Sequence, residues 1–195
     1  MKAKEAPKDP QLNEFSLDYA EWLVRYGNEK LREFFLQGPI SEQALAFSVH
    51  TLNYIAALGS DPIRMYLHTY GGDINCGLAI HDLVKGLNKK VPIDIIATGA
   101  VMSMGVVILQ AARKRYATPN VHFMLHQLRG SNEGDLGEQR DRYRHMENLQ
   151  TQLNDILAKR TGKTTAQIDK LIDRKDYFVS AKDALKLGLI DKILD

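Results

Sequence analysis

The chain has 195 residues, of which 44% are hydrophobic and 26% are charged, and its formal net charge is +2 at pH 7. A chain of this length and composition can bury the core of one globular domain. The near-neutral balance, with no long run of Lys or Arg, excludes nucleic acid and anionic membranes as expected partners.

The N-terminal segment and the cysteine content indicate a cellular location. Residues 1–14 are polar and contain no apolar segment, so we expect a mobile N-terminal segment and no signal peptide. The single cysteine, Cys76, cannot form an internal disulfide and favours a reducing compartment. We therefore expect a cytoplasmic protein or one of an organelle stroma.

Helical patterns and short apolar segments then alternate. A helical pattern begins at Ser16. We predict strands at 34–36, 63–67, 92–98, 115–118 and 121–125, and helices at 41–58, 74–87, 103–112 and 135–160. Two small helices and a last strand follow. This alternation predicts an α/β fold, and the lack of a repeat or linker predicts one domain over residues 15–195.

The long helix predicted at 135–160 carries an apolar stripe along one face. Its apolar positions are Leu136, Tyr143, Met146, Leu149, Leu153, Ile156 and Leu157. A helix of this length extends beyond a small domain, so the stripe indicates a surface for a partner. An ordinary core helix is the alternative.

Three polar residues occupy positions suited to nucleophilic catalysis. Ser103 lies between an apolar strand and a helix, where its hydroxyl can be exposed, although it can equally be an ordinary helix cap. His126 ends an apolar strand and is a candidate general base, with a purely structural role as the alternative. Asp176 is a candidate to orient that histidine, with Asp173 as a competitor and a surface turn as the plain interpretation.

The pair Gly71-Gly72 follows the strand at 63–67 and precedes a helix. Glycine tolerates positive φ and lets a substrate approach the backbone closely. The N–H of Gly72 is therefore a candidate oxyanion donor, although most such pairs are simple turns.

Four blocks, in this order, resemble the family of Clp protease proteolytic subunits. Residues 65–72, MYLHTYGG, are similar to that family's strand and Gly-Gly turn, and residues 100–105, AVMSMG, to its nucleophile segment. Residues 119–127, PNVHFMLHQ, resemble its Pro-Asn and His-Gln block. Residues 174–191 resemble its ending, with Ser180-Ala181 and then Gly-Leu-Ile-Asp. The resemblance covers the chain from about Glu29 to the C terminus.

The resemblance implies roles for individual residues. Ser103 would be the nucleophile, His126 the general acid and base, and Asp176, rather than Asp173, the orienting acid. The backbone N–H groups of Gly72 and Met104 would form the oxyanion hole. Acyl transfer of this kind requires no metal or cofactor, so none is expected.

The resemblance also implies an architecture and partners. The fold would be a crotonase-like spiral of ββα units with a protruding handle helix at 135–160, and residues 130–137 would form a strand at a ring junction. Homomeric or mixed subunits would assemble as two stacked seven-membered rings. An AAA+ Clp unfoldase, docking at a cleft lined by Tyr66, would supply unfolded polypeptide for hydrolysis.

Several positions depart from the family pattern. Thr69-Tyr70 replace Ser-Pro before Gly-Gly, Val101-Met102 replace two alanines, and Leu128 replaces a proline. These departures indicate a divergent paralogue or a phage- or plastid-type copy.

Three other functions remain open. The chain can be a catalytically silent ring subunit, or a crotonase-type enzyme acting on acyl-CoA. It can also be a peptidase with a Ser–Lys dyad, for which Lys114 and Lys175 are the candidate bases.

Overall fold

A computed structural model describes residues 32–130 and 133–195. The expected mobile segment at 1–14 and the helical pattern from Ser16 lie outside the described residues. Within the two described ranges, no helix has the length and apolar character needed to span a membrane.

Strands and helices alternate along the described chain, which confirms the predicted α/β class. The strands are β1 Glu33–Gln37, β2 Ile63–Thr69, β3 Ile93–Met102, β4 Arg115–Ala117, β5 His122–Leu125, β6 Tyr177–Ser180 and β7 Lys192–Ile193. The helices are α1 Glu42–Ala57, α2 Ile74–Leu87, α3 Met104–Leu109, α4 Leu136–Thr161, α5 Thr165–Ile172 and α6 Ala181–Leu187. Helix α2 has the predicted limits, and most other elements lie within a few residues of theirs.

The strands form one sheet in the order β1-β2-β3-β4-β7, and β5 pairs with both β3 and β6. All pairs are parallel except β5 with β6. Parallel strands place their carboxyl ends at a common edge. The residues that directly follow β2, β3 and β5 are therefore brought close together.

Strand β3 is longer than predicted and pairs with a different neighbour in each half. Its first half pairs with β4, and its second half, Ala100–Met102, pairs with β5. Gly99, with φ of 57°, separates the halves, and a Cβ there would lie 2.7 Å from His68 Nδ1. The strand therefore continues past Thr98, where we predicted it to end. Its second half places Ser103 beside the end of β5.

Helix α3 is buried along its whole length, since all six of its residues are shielded from solvent. It packs between the sheet and α2. The element is shorter than the predicted helix at 103–112, because it begins after Ser103 and ends at Leu109.

Arg115 is a buried cation that joins four parts of the fold. Its guanidinium donates to Gln110 Oε1 at 2.7 Å, to the Gly188 carbonyl at 2.7 Å and to the Arg160 carbonyl at 3.2 Å. It also forms a bidentate ion pair with Asp191, just before β7. A buried charge requires this degree of pairing.

Helix α4 has 26 residues and therefore spans roughly 39 Å. In its C-terminal half, Leu153 and Leu157 are 5% exposed and pack on the core. In its N-terminal half, Leu136 and Tyr143 are 64% and 60% exposed. The apolar stripe thus packs against the core at the C-terminal end of the helix and is exposed at the N-terminal end.

Two local expectations need correction. Strand β6, which pairs with β5, was not predicted, because a four-residue segment between two helices gives little periodicity. The strand expected over 130–137 is absent from the described residues of that segment. Asp135 instead accepts a hydrogen bond from the Glu138 N–H and caps α4, which begins at Leu136.

Candidate active site

Ser103 occupies the sharp turn between β3 and α3. Its φ of 52° lies in a region that residues with a Cβ rarely adopt, and such strain is typical of functional turns. Its N–H donates to the Met124 carbonyl at 2.8 Å, which fixes the turn to β5. The side chain makes no capping bond to α3, so the plain interpretation as a helix cap does not apply.

His126 directly follows β5 and faces this turn. The register pairs Met102 with Met124, so the residues that follow the two strands lie side by side. Nε2 of His126 is 2.8 Å from Ser103 Oγ. The structure therefore brings together the predicted nucleophile and the predicted base, which are 23 residues apart in sequence.

The other ring nitrogen of His126 lies 2.5 Å from the backbone carbonyl oxygen of Gln127. A carbonyl oxygen can only accept, so this contact requires the proton on Nδ1. In the neutral ring, Nε2 then carries the lone pair and accepts a hydrogen bond from the Ser103 hydroxyl. This is the tautomer that a general base requires.

Asp176 lies near His126 but has a different partner. Its Oδ1 is 2.5 Å from Arg129 Nη2, and both residues line a cavity that His126 also lines. The competing acid, Asp173, lies 3.9 Å from the guanidinium of Arg174. The structure thus places Asp176 at the site, where its carboxylate pairs with Arg129. The partner of His126 Nδ1 is instead the backbone carbonyl of Gln127.

The two predicted oxyanion donors flank the serine. In an isolated bridge, the Ile40 N–H donates to Gly71 O and the Asp73 N–H donates to Ile40 O, both at 2.9 Å. Neighbouring N–H groups on a strand point to opposite sides, so the Gly72 N–H faces away from Ile40. Met104 is the first residue of α3, where an N–H has no intrahelical acceptor.

Asp73 fixes the end of the Gly-Gly turn. Its side chain accepts the Cys76 N–H at 2.8 Å and caps α2, and this bond lowers the pKa of the Asp73 carboxyl. Burial in the hydrophobic core raises the pKa of the Cys76 thiol.

A cavity of about 180 Å³ opens beside the serine and histidine. Gly72, Ser103, Met104 and His126 are part of its lining. The rest of the lining is mostly apolar, and includes Ile74, Leu125, Leu128, Leu153, Leu157 and Ile172. The space suits an apolar side chain next to a peptide bond that reaches Ser103.

Two residues at this cavity were missed by the sequence analysis. Gln150 of α4 accepts the Leu128 N–H at 2.7 Å and donates to Asn154 at 2.8 Å, which anchors the segment after His126. Arg129 holds Asp176. Nothing in the local sequence distinguishes either residue from other polar surface positions.

The remaining candidates lie elsewhere. Tyr66 stacks on Phe35 with ring centroids 4.8 Å apart, on the β1–β2 edge of the sheet. Lys175, a candidate base for a dyad, has its Nζ 5.7 Å from the Tyr177 ring centroid. Among the described residues, no group of three or more His, Cys, Asp or Glu side chains could hold a metal ion.

Comparisons with known proteins agree with the resemblance. A sequence profile described as Clp protease matches residues 24–195. The ATP-dependent Clp protease proteolytic subunit 3 of Rhizobium johnstonii is 35% identical over 167 residues, covering 85% of this chain and 84% of the relative. The proteolytic subunit 2 of Pseudomonas aeruginosa is 32% identical, covering 85% and 82%.

A solved structure supports the same fold. A point mutant of ClpP1 from Listeria monocytogenes superposes with a TM-score of 0.80 and 26% identity, covering 88% of this chain and 96% of that one. The predicted ClpP-like fold is confirmed, and identities of 32–35% are those of a divergent paralogue.

Proposed function

This chain belongs to the Clp protease family and is a proteolytic subunit of it, and we propose that it is an active serine endopeptidase. The proposed reaction is hydrolysis of unfolded polypeptide. Ser103 is the nucleophile, His126 the general acid and base, and Asp176 the acid that supports the histidine. The observation that carries the proposal is the 2.8 Å contact between Ser103 Oγ and His126 Nε2. The Gln127 carbonyl beside Nδ1 favours the tautomer in which Nε2 accepts a proton.

Acylation follows from this arrangement. Ser103 Oγ attacks the scissile carbonyl carbon while its proton moves to Nε2 of His126. The oxyanion that forms accepts hydrogen bonds from the N–H groups of Gly72 and Met104, each of which contributes about 2.7–4 kcal/mol to the transition state. The imidazolium then protonates the leaving amine, the C–N bond breaks, and an acyl-enzyme remains.

Deacylation reverses these roles. A water molecule gives its proton to Nε2 of His126 and attacks the ester carbonyl. The imidazolium returns the proton to Ser103 Oγ as the ester bond breaks, and the carboxylic acid product leaves. Asp176 stabilises the imidazolium in both steps when its carboxylate reaches Nδ1.

The uncovered surfaces support an assembled state. We propose that the exposed N-terminal half of α4, with Leu136 and Tyr143, packs against subunits of an opposing ring, in homomeric or mixed double rings of seven. Phe35 and Tyr66 form an apolar surface for an AAA+ Clp unfoldase. We further propose a cytoplasmic or stromal setting and a single peptidase domain over residues 15–195.

A single substitution tests the proposed chemistry. Ser103→Ala is expected to reduce hydrolysis of a fluorogenic peptide by several orders of magnitude and to abolish covalent labelling by a fluorophosphonate probe. Assembly, measured by light scattering, should be unchanged, because the hydroxyl makes no structural bond to α3. Turnover that survives in the assembled variant would exclude Ser103 as the nucleophile.

One observation favours a second candidate, the catalytically silent subunit. The Asp176 carboxylate bonds to Arg129 rather than to His126. A silent subunit would show neither turnover nor probe labelling in the purified wild-type oligomer. Labelling at Ser103 would exclude this candidate.

A further inference from the structure

We infer that Arg129 is a positioning residue that holds the Asp176 carboxylate away from His126 and so limits the activity of the resting site. The inference rests on the proposed peptidase function. It concerns a side chain that neither the sequence patterns nor the resemblance identified.

The contact between the two residues is direct. Arg129 Nη2 lies 2.5 Å from Asp176 Oδ1, across 47 residues of sequence. Both residues line a cavity of about 410 Å³ that His126 also lines. The Asp176 carboxylate therefore has an arginine and an imidazole as rival partners around one cavity.

Arg129 is the cation that engages this carboxylate. Arg174 and Lys175 line the same cavity, but the Arg174 guanidinium lies 3.9 Å from Asp173, and Lys175 Nζ lies over the Tyr177 ring. Within the described ranges, the ion pair recorded for Asp176 is the one with Arg129. Removing that guanidinium therefore frees the carboxylate from its cationic partner.

The position that Asp176 would take is held by a peptide carbonyl. Nδ1 of His126 donates to Gln127 O, which keeps the tautomer correct but carries no full charge. An imidazolium forms during catalysis, and a carboxylate stabilises it better than a neutral carbonyl does. The resting geometry thus allows proton transfer to His126. The Asp176 carboxylate, which would stabilise the resulting imidazolium, is bonded to Arg129 instead.

The size of the effect follows from exposure. The Arg129 and Asp176 side chains are 70% and 36% exposed, and exposed ion pairs are weak and screened by salt. The pair therefore biases the position of Asp176 modestly. We expect its removal to raise kcat by about two- to fivefold.

A double-mutant cycle tests the inference in the assembled full-length protein. Arg129→Met, which keeps the aliphatic stem, should raise kcat for a neutral fluorogenic peptide and the rate of fluorophosphonate labelling, while KM stays unchanged. In an Asp176→Asn background the same substitution should change neither rate. Arg129→Lys should give a smaller rise, because an ammonium still reaches Asp176.

Controls separate local from general charge effects. Lys186→Met removes an exposed cation of comparable kind, paired with Asp183 at 3.0 Å, and should leave kcat unchanged. Added salt should raise kcat of the wild type and not of Arg129→Met. Arg129→Gln replaces Arg129→Met if that variant does not assemble.

The outcomes are distinct. The inference is overturned if kcat of Arg129→Met is unchanged or lower, if its rise persists with Asn at position 176, or if only KM changes. If Ser103→Ala is as active as the wild type, it is the proposed function that fails instead.

Discussion

Gly71 lies against Ser103 so closely that a Cβ on Gly71 would come within 2.6 Å of the serine Cβ. The φ of Gly71 is 102°, a backbone conformation that other residues rarely adopt. The Gly-Gly turn is therefore part of the packing around Ser103 as well as a candidate source of an oxyanion donor.

Gly71→Ala should displace the Ser103 turn and reduce both turnover and fluorophosphonate labelling by at least about tenfold, since a 1 Å misplacement near the reacting atoms is costly. The free energy of unfolding, from urea titration, should also fall, by about 1–3 kcal/mol. Gly86→Ala is the matched control, because a Cβ there meets nothing within 4 Å. It lies in α2 and should be neutral or stabilising by up to about 1 kcal/mol. Equal activity of the two variants would contradict close packing at Gly71.

His126→Ala should lower kcat by several orders of magnitude, because its Nε2 is the group placed to accept the Ser103 proton. The labelling rate of Ser103 by a fluorophosphonate should fall in parallel. His122→Ala, at the exposed first residue of β5, should retain activity. A His126→Ala enzyme that labels at the wild-type rate would show that another residue activates the serine.

Arg115→Met should destabilise the fold strongly. It leaves the Asp191 carboxylate and two backbone carbonyls without their partner, a loss of about 3–5 kcal/mol. Arg64→Met breaks a 2.7 Å ion pair with Glu33, in which the Arg64 side chain is 51% exposed. The free energy of unfolding should fall by no more than about 1 kcal/mol. Urea titrations of both variants measure the difference, and similar losses would refute a special role for the buried network.

Stability should fall at acidic pH through Asp191. Burial acts to raise the pKa of this carboxyl, but the hydrogen bonds and charge of Arg115 outweigh it and the pKa is lowered from 3.8. A carboxyl with a lower pKa in the folded chain stabilises the fold above its unfolded-state pKa, and this contribution is lost as pH falls through the folded pKa. We therefore expect a loss of stability below about pH 4.

Thermal unfolding between pH 6 and pH 2 checks this dependence. Asp191→Asn should be less stable than the wild type at pH 6, and its melting temperature should fall less steeply below pH 4. Parallel curves for the two proteins would assign the acid sensitivity to other carboxyl groups.

Tyr66→Ala should weaken the proposed coupling to an unfoldase without affecting the proposed peptidase site. The ring stacks on Phe35 at the β1–β2 edge of the sheet, and neither residue lines the cavity beside Ser103, so short-peptide hydrolysis should stay near the wild-type rate. ATP-dependent degradation of a folded substrate, with a Clp unfoldase added, should fall. Unchanged degradation would place the docking surface elsewhere.

The sequence by itself predicted the class of fold and the two candidate residues, Ser103 and His126, that the structure brings into contact. Helix α2 and the approximate extents of β2, β5 and α4 follow from hydrophobic periodicity, which is a local property of the chain. Ser103 and His126 follow apolar strands, and parallel strands bring their ends to one edge. The resemblance then supplied an order of motifs that periodicity alone does not give.

Only the tertiary structure decided which groups meet. The change of neighbour at Gly99 lets β3 pair first with β4 and then with β5, and the second pairing places Ser103 beside His126. The partner of Asp176 depends on side-chain torsions and on Arg129, which comes from a loop 47 residues away. Hydrogen bonds between loops depend on where the packed sheet positions the ends of those loops. A one-dimensional sequence pattern does not contain the distances between them.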